Sequence, residues 1–214
     1  MNTANLDWIL GIPLLFFAVV VHECSHGWVA YLNGDDTAKQ MGRLTLNPIP
    51  HIDLLGTILL PLILIISHSP VLIGWAKPVP INPYRLNNPV RDMAKVGLAG
   101  PLSNFSMALL SALGIWIVKI SGLDPMSATG GLIVKLLIMN VQINLVLGVF
   151  NLVPIPPLDG SRFVSAVLPY QLAYKYNQLE RYGIFVIILM LSFGMLNFLW
   201  WIVVFLQKIL FIGL

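Results

Sequence analysis

The sequence has one cysteine, two glutamates and four histidines in 214 residues, and only 10% of it is charged. A single cysteine excludes a disulfide framework and a four-cysteine zinc ribbon. The shortage of charge, set against 57% hydrophobic residues and a mean hydropathy of +0.85, excludes a soluble domain of this length. The net charge of +3 is spread through loops rather than clustered with aromatics, so there is no nucleic-acid footprint. The N-terminus, Met-Asn-Thr-Ala-Asn-Leu-Asp, lacks a basic region and a small-residue cleavage site, and the first apolar run is too long for a signal peptide. The expectation is an integral membrane protein that keeps its first apolar run.

His22-Glu23-Cys24-Ser25-His26 interrupts that run. From Trp8 to Tyr31 the residues are otherwise almost wholly apolar, and backbone in lipid must satisfy its own hydrogen bonds, so the segment reads as a helix. On a helix His22 and His26 share a face, their ring nitrogens can converge on one ion, and Glu23 can polarise a water beside them. Cys24, at i+2, points to the other side and reads as packing. Accident is the competing reading. An ionisable side chain in a span costs about 2.5–3.5 kcal/mol on insertion scales, so three together call for a partner or a function, and a divalent metal compensates them. Trp8 near one end and Trp28 and Tyr31 near the other suit interfacial anchors.

Residues 33–53 are polar and turn-rich. His51 in this stretch is a candidate fourth ligand, with a plain surface histidine the preferred reading. Residues 54–75 are apolar, but Pro61 interrupts them and Ser67-His68-Ser69-Pro70 breaks them, so they are expected to dip in and return. The loop to Asp92 is too proline-rich for helix. Residues 94–120 carry Gly97, Gly100, Pro101 and Asn104, which permit close helix contact. Residues 132–153 carry Asn140, Gln142, Asn144 and Asn151; interhelical hydrogen bonds are the preferred reading of the first three. The apolar residues 182–214 exceed the ~20 a span needs, and a tilted helix or a hairpin at residues 192–197 both fit.

A returning 54–75 segment gathers Lys39, Arg43, Lys77, Arg85, Arg91, Lys95, Arg162, Lys175 and Arg181 on one side, leaving Lys119 and Lys135 opposite. By the positive-inside rule that side is cytoplasmic, and the histidine pair lies nearer to it. A catalytic zinc site usually has three protein ligands. Asp159, after the kinking run Pro154-Ile-Pro-Pro-Leu, can turn inward as the third, and a surface aspartate beside Gly160 fits as well.

His22-Glu-x-x-His26, Gly100-Pro-x-x-Asn104 and Asn151-x-x-Pro-x-Pro-x-Leu-Asp159-Gly, in this order, resemble the site-2 protease family of intramembrane zinc metalloproteases. The resemblance covers about residues 10–165 and implies one Zn2+ on His22, His26 and Asp159, Glu23 as general base, and Asn104 and Asn151 as substrate-binding positions. It also implies transmembrane protein substrates and, with Gly-Trp-Ala-Lys-Pro-Val-Pro, a small prokaryotic type without a PDZ or nucleotide-sensing domain. The fold expected is an all-α polytopic membrane protein of about four to six transmembrane helices, with a re-entrant or β-like segment between the first helix and the Gly-Pro-x-x-Asn helix. Residues 1–214 are expected to form one membrane-embedded protease domain, with a C-terminal membrane segment at about 182–214, in a prokaryotic cell membrane. A zinc transporter or sensor, and a catalytically silent metal-binding protein, are the alternative functions. Charges concentrated at one depth argue against the first, and Glu23, which a structural site has no need of, against the second.

Overall fold

The computed structural model describes residues 3–67 and 74–212, with side chains from Leu10 onward, so the Trp8 anchor and His68 lie outside the described side chains. The helices are α1 (Thr3–Leu32), the single turn α2 (Thr37–Gln40), α3 (Leu60–Ile66), α4 (Pro89–Ile120), α5 (Ala128–Asn151), α6 (Asp159–Val167), α7 (Tyr170–Asn177), α8 (Glu180–Ser192) and α9 (Asn197–Leu210). There is no strand among the described residues. Among the described residues, Leu10–Leu32 of α1, α4 and α5 are long and apolar enough to cross a membrane, and the bent pair α8 and α9 brings the total to four if it counts as one span. That is the lower edge of the expected number.

The pairing of polar groups gives the direction of the helices. His26 meets Val96 and His22 meets Asn104, so rising numbers on α4 face falling numbers on α1. Asn104 meets Asn144 and Ser111 meets Asn140, which makes α5 antiparallel to α4. The end of α1 and the start of α4 therefore share a side, and the Asn87 N–H donates to Asn33 O at 2.9 Å across that junction. The connection between them cannot make a single crossing.

Inside this connection Asp53 accepts from the N–H groups of Leu55 and Gly56 and starts a π-helical turn, Leu54–Leu59, that runs into α3. Pro61 falls where the π-helical turn passes into α3, so it marks a change of helix type and the segment stays helical through it. The apolar Leu54–Ile66 stretch is still shorter than the ~20 residues of a span. Beyond it the chain comes back: Trp75 N–H donates to Gly56 O at 3.2 Å, and the Thr57 hydroxyl donates to Trp75 O at 2.8 Å. The segment departs and returns as expected. Its returning limb, residues 74–82, is extended but joins no β-ladder.

That limb corrects the reading of His51. It lies over the histidine, Lys77 N–H donating to His51 O at 2.9 Å, and His51 is fully buried with Nε2 on Thr45 O at 2.9 Å. A loop histidine next to prolines looks exposed in sequence only because the covering strap comes from 26 residues further on.

The apolar core of α4, α5 and α9 contains Ala108, Ala112, Val141, Leu145, Val149 and Val203. The C-terminal segment is neither a straight helix nor a tight hairpin, for α8 and α9 meet at 79°. Gly194, at φ +67°, ends α8 in the left-handed conformation that glycine adopts without penalty. Gly194 N–H on Leu191 O and Met195 N–H on Met190 O complete a Schellman turn.

Candidate metal centre

Two helices, α1 and α6, bring His22, His26 and Asp159 together, all three side chains buried. His22 and His26 lie one turn apart on α1. Asp159 is the first residue of α6, where the positive end of the helix favours a carboxylate. It is held there by the preceding turn, where the Tyr176 hydroxyl donates to Pro154 O at 2.8 Å. Gly160 lets α6 begin against the main chain of Leu152, where a side chain has no room.

The donor set fits a cation. His22 Nε2 lies 2.9 Å and His26 Nε2 3.1 Å from Asp159 Oδ2, and the two ring nitrogens are 3.0 Å apart. A tetrahedral ion with bonds of about 2.0–2.1 Å needs donors roughly 3.3 Å apart, a few tenths of an ångström wider. The opposite ring atoms say which nitrogens are free. His26 Nδ1 lies 2.6 Å from Val96 O, a main-chain acceptor, so it carries the hydrogen and leaves a lone pair on Nε2. His22 Nδ1 lies 2.6 Å from Asn104 Oδ1. With both rings in this tautomer, two lone pairs and a carboxylate oxygen face one point, an arrangement that a metal ion or an added proton reconciles.

The fourth side is kept open by Gly100 of α4, the glycine of the Gly-Pro-x-x-Asn pattern. A Cβ there would stand 2.5 Å from His22 Nε2 and from His26 Nε2. Gly97, one turn earlier, lets α6 approach in the same way: its Cβ would meet Asp159 O at 2.9 Å. Arg162 Nε, 3.9 Å from Asp159 Oδ1, adds a positive charge on the far side of the carboxylate. The sequence signal for that pair, opposite charges at i and i+3 at a helix start, is too common to have singled it out.

Glu23 is beside this cluster and not part of it. Its Oε2 accepts from the Val79 N–H at 2.8 Å, so the returning strap holds one oxygen of the carboxylate. Asn104 has no exposed surface and both ends of its amide are engaged, by His22 and Asn144, so it stands behind the ligand rather than open to a peptide. Asn151 is partly exposed and donates back to Leu147 O in its own helix at 3.0 Å. Cys24 and His51 are not in the cluster.

An apolar cavity of about 440 Å³ adjoins this face of α1, walled by Ile12, Phe16 and Val19 and, across it, by Gly56, Pro61 and Trp75. Ile12, Phe16 and Val19 lie on the same helical stripe as Glu23, which stands one turn beyond the cavity wall.

The model of Peptidase family M50 matches residues 115–195, which include Asp159 but not the histidine pair. The chain is 36% identical over 194 residues to "Putative zinc metalloprotease YwhC" of Bacillus subtilis (strain 168), a match covering 89% of this chain and 85% of that one. It is 26% identical over 195 residues to "Zinc metalloprotease MJ0392" of Methanocaldococcus jannaschii, 90% of this chain and 45% of the relative. No solved structure matches. The length of the Bacillus match, reaching well beyond the residues of the family model, places the chain in peptidase family M50, the site-2 protease family.

Proposed function

We propose that the protein is an intramembrane zinc metalloendopeptidase that hydrolyses peptide bonds in or next to transmembrane segments of other membrane proteins. The observation that carries this reading is the meeting of two imidazole Nε2 atoms and a carboxylate within 2.9–3.1 Å of one another, the imidazoles on a helix long enough to span a bilayer. His22, His26 and Asp159 hold the ion. Zn2+ bound there supplies Lewis acidity toward a carbonyl oxygen and makes a neighbouring water more acidic. Glu23 takes the proton of the attacking water and gives it to the leaving amine. The Val79 N–H keeps one Glu23 oxygen in place and leaves the other for the proton.

A helical substrate hides its carbonyls in hydrogen bonds and has to be held unwound. Residues 74–80 cannot do this as a complete edge: the N–H groups of Trp75, Lys77 and Val79 are taken by Gly56 O, His51 O and Glu23, and residues 78 and 80 are prolines. The apolar cavity beside them suits a large hydrophobic side chain next to the scissile bond, in keeping with a substrate that arrives from the membrane. Asn151, partly exposed at the end of α5, stays the polar group we assign to the substrate backbone. The basic residues at the α1/α4 junction support a site nearer the cytoplasmic face of a prokaryotic cell membrane, and we assign residues 1–214 to a single catalytic domain.

The test is cleavage of single-span reporter proteins in liposomes by the wild type and by Glu23→Gln. The variant is expected to retain zinc and to lose cleavage. Equal cleavage removes Glu23 from the mechanism, and zinc flux without cleavage replaces a protease by a transporter.

A further inference from the structure

We infer that Asn144 is a positioning residue: acting through Asn104, it fixes His22 in the tautomer that leaves Nε2 free for the metal. This rests on the assignment of His22 as a ligand. The two ligand histidines are oriented by different means. His26 Nδ1 abuts a main-chain oxygen, Val96 O, which can only accept. His22 Nδ1 abuts a side-chain amide, Asn104 Oδ1, and an amide can be turned about to present its NH2 instead. Turned that way, Asn104 would donate to Nδ1, the ring hydrogen would sit on Nε2, and the ring could not bind a cation there. Something beyond Asn104 has to forbid it.

The forbidding contact is two residues away. Asn144 Nδ2 lies 2.9 Å from the main-chain oxygen of Asn140, one turn back on α5. That oxygen is an obligate acceptor, so the Asn144 atom beside it must be NH2. The Asn144 oxygen then faces Asn104, 2.9 Å from its nitrogen. Asn104 in turn presents its oxygen to His22, and Nδ1 has to carry the hydrogen. Each step follows from the one before by donor and acceptor type alone. Both asparagines are fully buried, so water cannot supply the alternative partner that a flip would need.

The chain continues past the pivot, and there it adds a second contact in the same direction. Asn140 Oδ1 also accepts from Asn144 at 2.9 Å, and Asn140 Nδ2 lies 2.7 Å from the Ser111 hydroxyl. The Ser111 hydroxyl donates to Met107 O at 2.9 Å, so it accepts from Asn140, and this branch agrees with the direction that the Asn140 main chain sets. The decisive acceptor belongs to the Asn140 main chain, so the Asn140 side chain is dispensable for the tautomer where that of Asn144 is not.

The experiment reads the tautomer directly. Metal-free protein labelled with 15N-histidine is studied in detergent by NMR, the His22 signals being identified by their loss in His22→Ala. The wild type is expected to show hydrogen on Nδ1 and a bare Nε2. Asn144→Leu, close in volume and without polar atoms, is expected to admit the other tautomer and to weaken zinc binding by about 10- to 100-fold, the usual scale for an outer-shell partner of a metal ligand. Asn140→Ala is expected to change neither. A wild-type His22 with hydrogen on Nε2 overturns the inference without any variant, whether or not Asn144→Leu folds. So does a folded Asn144→Leu that keeps the wild-type tautomer and zinc affinity, or an Asn140→Ala that loses both. Wild-type protein that binds no zinc would defeat the metalloprotease reading instead, and leave the tautomer measurement standing as its own test.

Discussion

Gly100 and His26 face each other across the α1/α4 contact with no room between them for a methyl group: a Cβ on Gly100 would lie 2.5 Å from His26 Nε2. The same carbon would lie 2.5 Å from His22 Nε2. The neighbours are ring atoms fixed by hydrogen bonds at their far ends, so they cannot swing aside cheaply. Gly100→Ala is therefore expected to separate α1 from α4 or to fill the place of the ion. Stoichiometric zinc should be lost on dialysis against chelator, and cleavage with it. Full zinc content and activity in this variant would mean that the ion does not sit between these two rings and α4.

Asp159→Ala tests the third ligand. It removes a donor 2.9–3.1 Å from both imidazoles while keeping a residue that α6 tolerates at its start. Two histidines one turn apart make a weak site alone. Zinc affinity should fall by more than the about 10- to 100-fold typical of outer-shell changes. His51 is fully enclosed and turned to Thr45 O, so it gives no relief. Stoichiometric zinc in purified Asp159→Ala would show that another group completes the site.

The antiparallel pairing of α1 and α4 predicts where the intervening loops lie. Asn47 and Asn87 are both exposed, and Asn87 is joined to Asn33 at the end of α1. In a Cys24→Ser background, cysteines at positions 47 and 87 should both resist an impermeant thiol reagent added from outside cells. Both should react after permeabilisation. Opposite labelling of the two would require a crossing between them and break the pairing of α1 with α4.

Sequence made the histidine pair, the three long spans and the returning segment legible because each is a local pattern: an i, i+4 spacing, an apolar run, prolines amid apolar residues. Asp159 needed a resemblance, since nothing local says that a carboxylate after a proline-rich turn faces inward. What stayed hidden depended on partners distant in the chain. His51 is buried by a strap from residues 74–82, and Val79 reaches Glu23 across 56 positions. The 79° bend at Gly194 lies between the tilted helix and the hairpin that the sequence suggests, because a glycine in an apolar run also suits close helix packing. The polar interior of α5 was read correctly as interhelical hydrogen bonding for Asn140 and Asn144. Its direction was invisible, because donor order along a chain of amides appears only when a main-chain oxygen anchors it.

The last prediction concerns the strap and the base. Val79 N–H is the one hydrogen-bond donor described on Glu23, and it comes from the main chain, so only a substitution that deletes the amide hydrogen tests it. Val79→Pro does this. The position already lies between Pro78 and Pro80 in extended chain, so a third proline prolongs an extended run rather than breaking a helix. Without the donor, the Glu23 carboxylate is free to rotate away from the reacting water, and a displacement of about 1 Å at a catalytic group can cost on the order of 10²-fold in rate. Val79→Pro should therefore lower kcat on a reporter substrate by about that factor, with KM and zinc content little changed. Val79→Ala, which keeps the N–H and loses only the side chain that lies against Gly27, should cost far less. Equal losses in the two variants would assign the effect to packing of the strap on α1. Wild-type kcat in a folded Val79→Pro would show that Glu23 holds its position unaided.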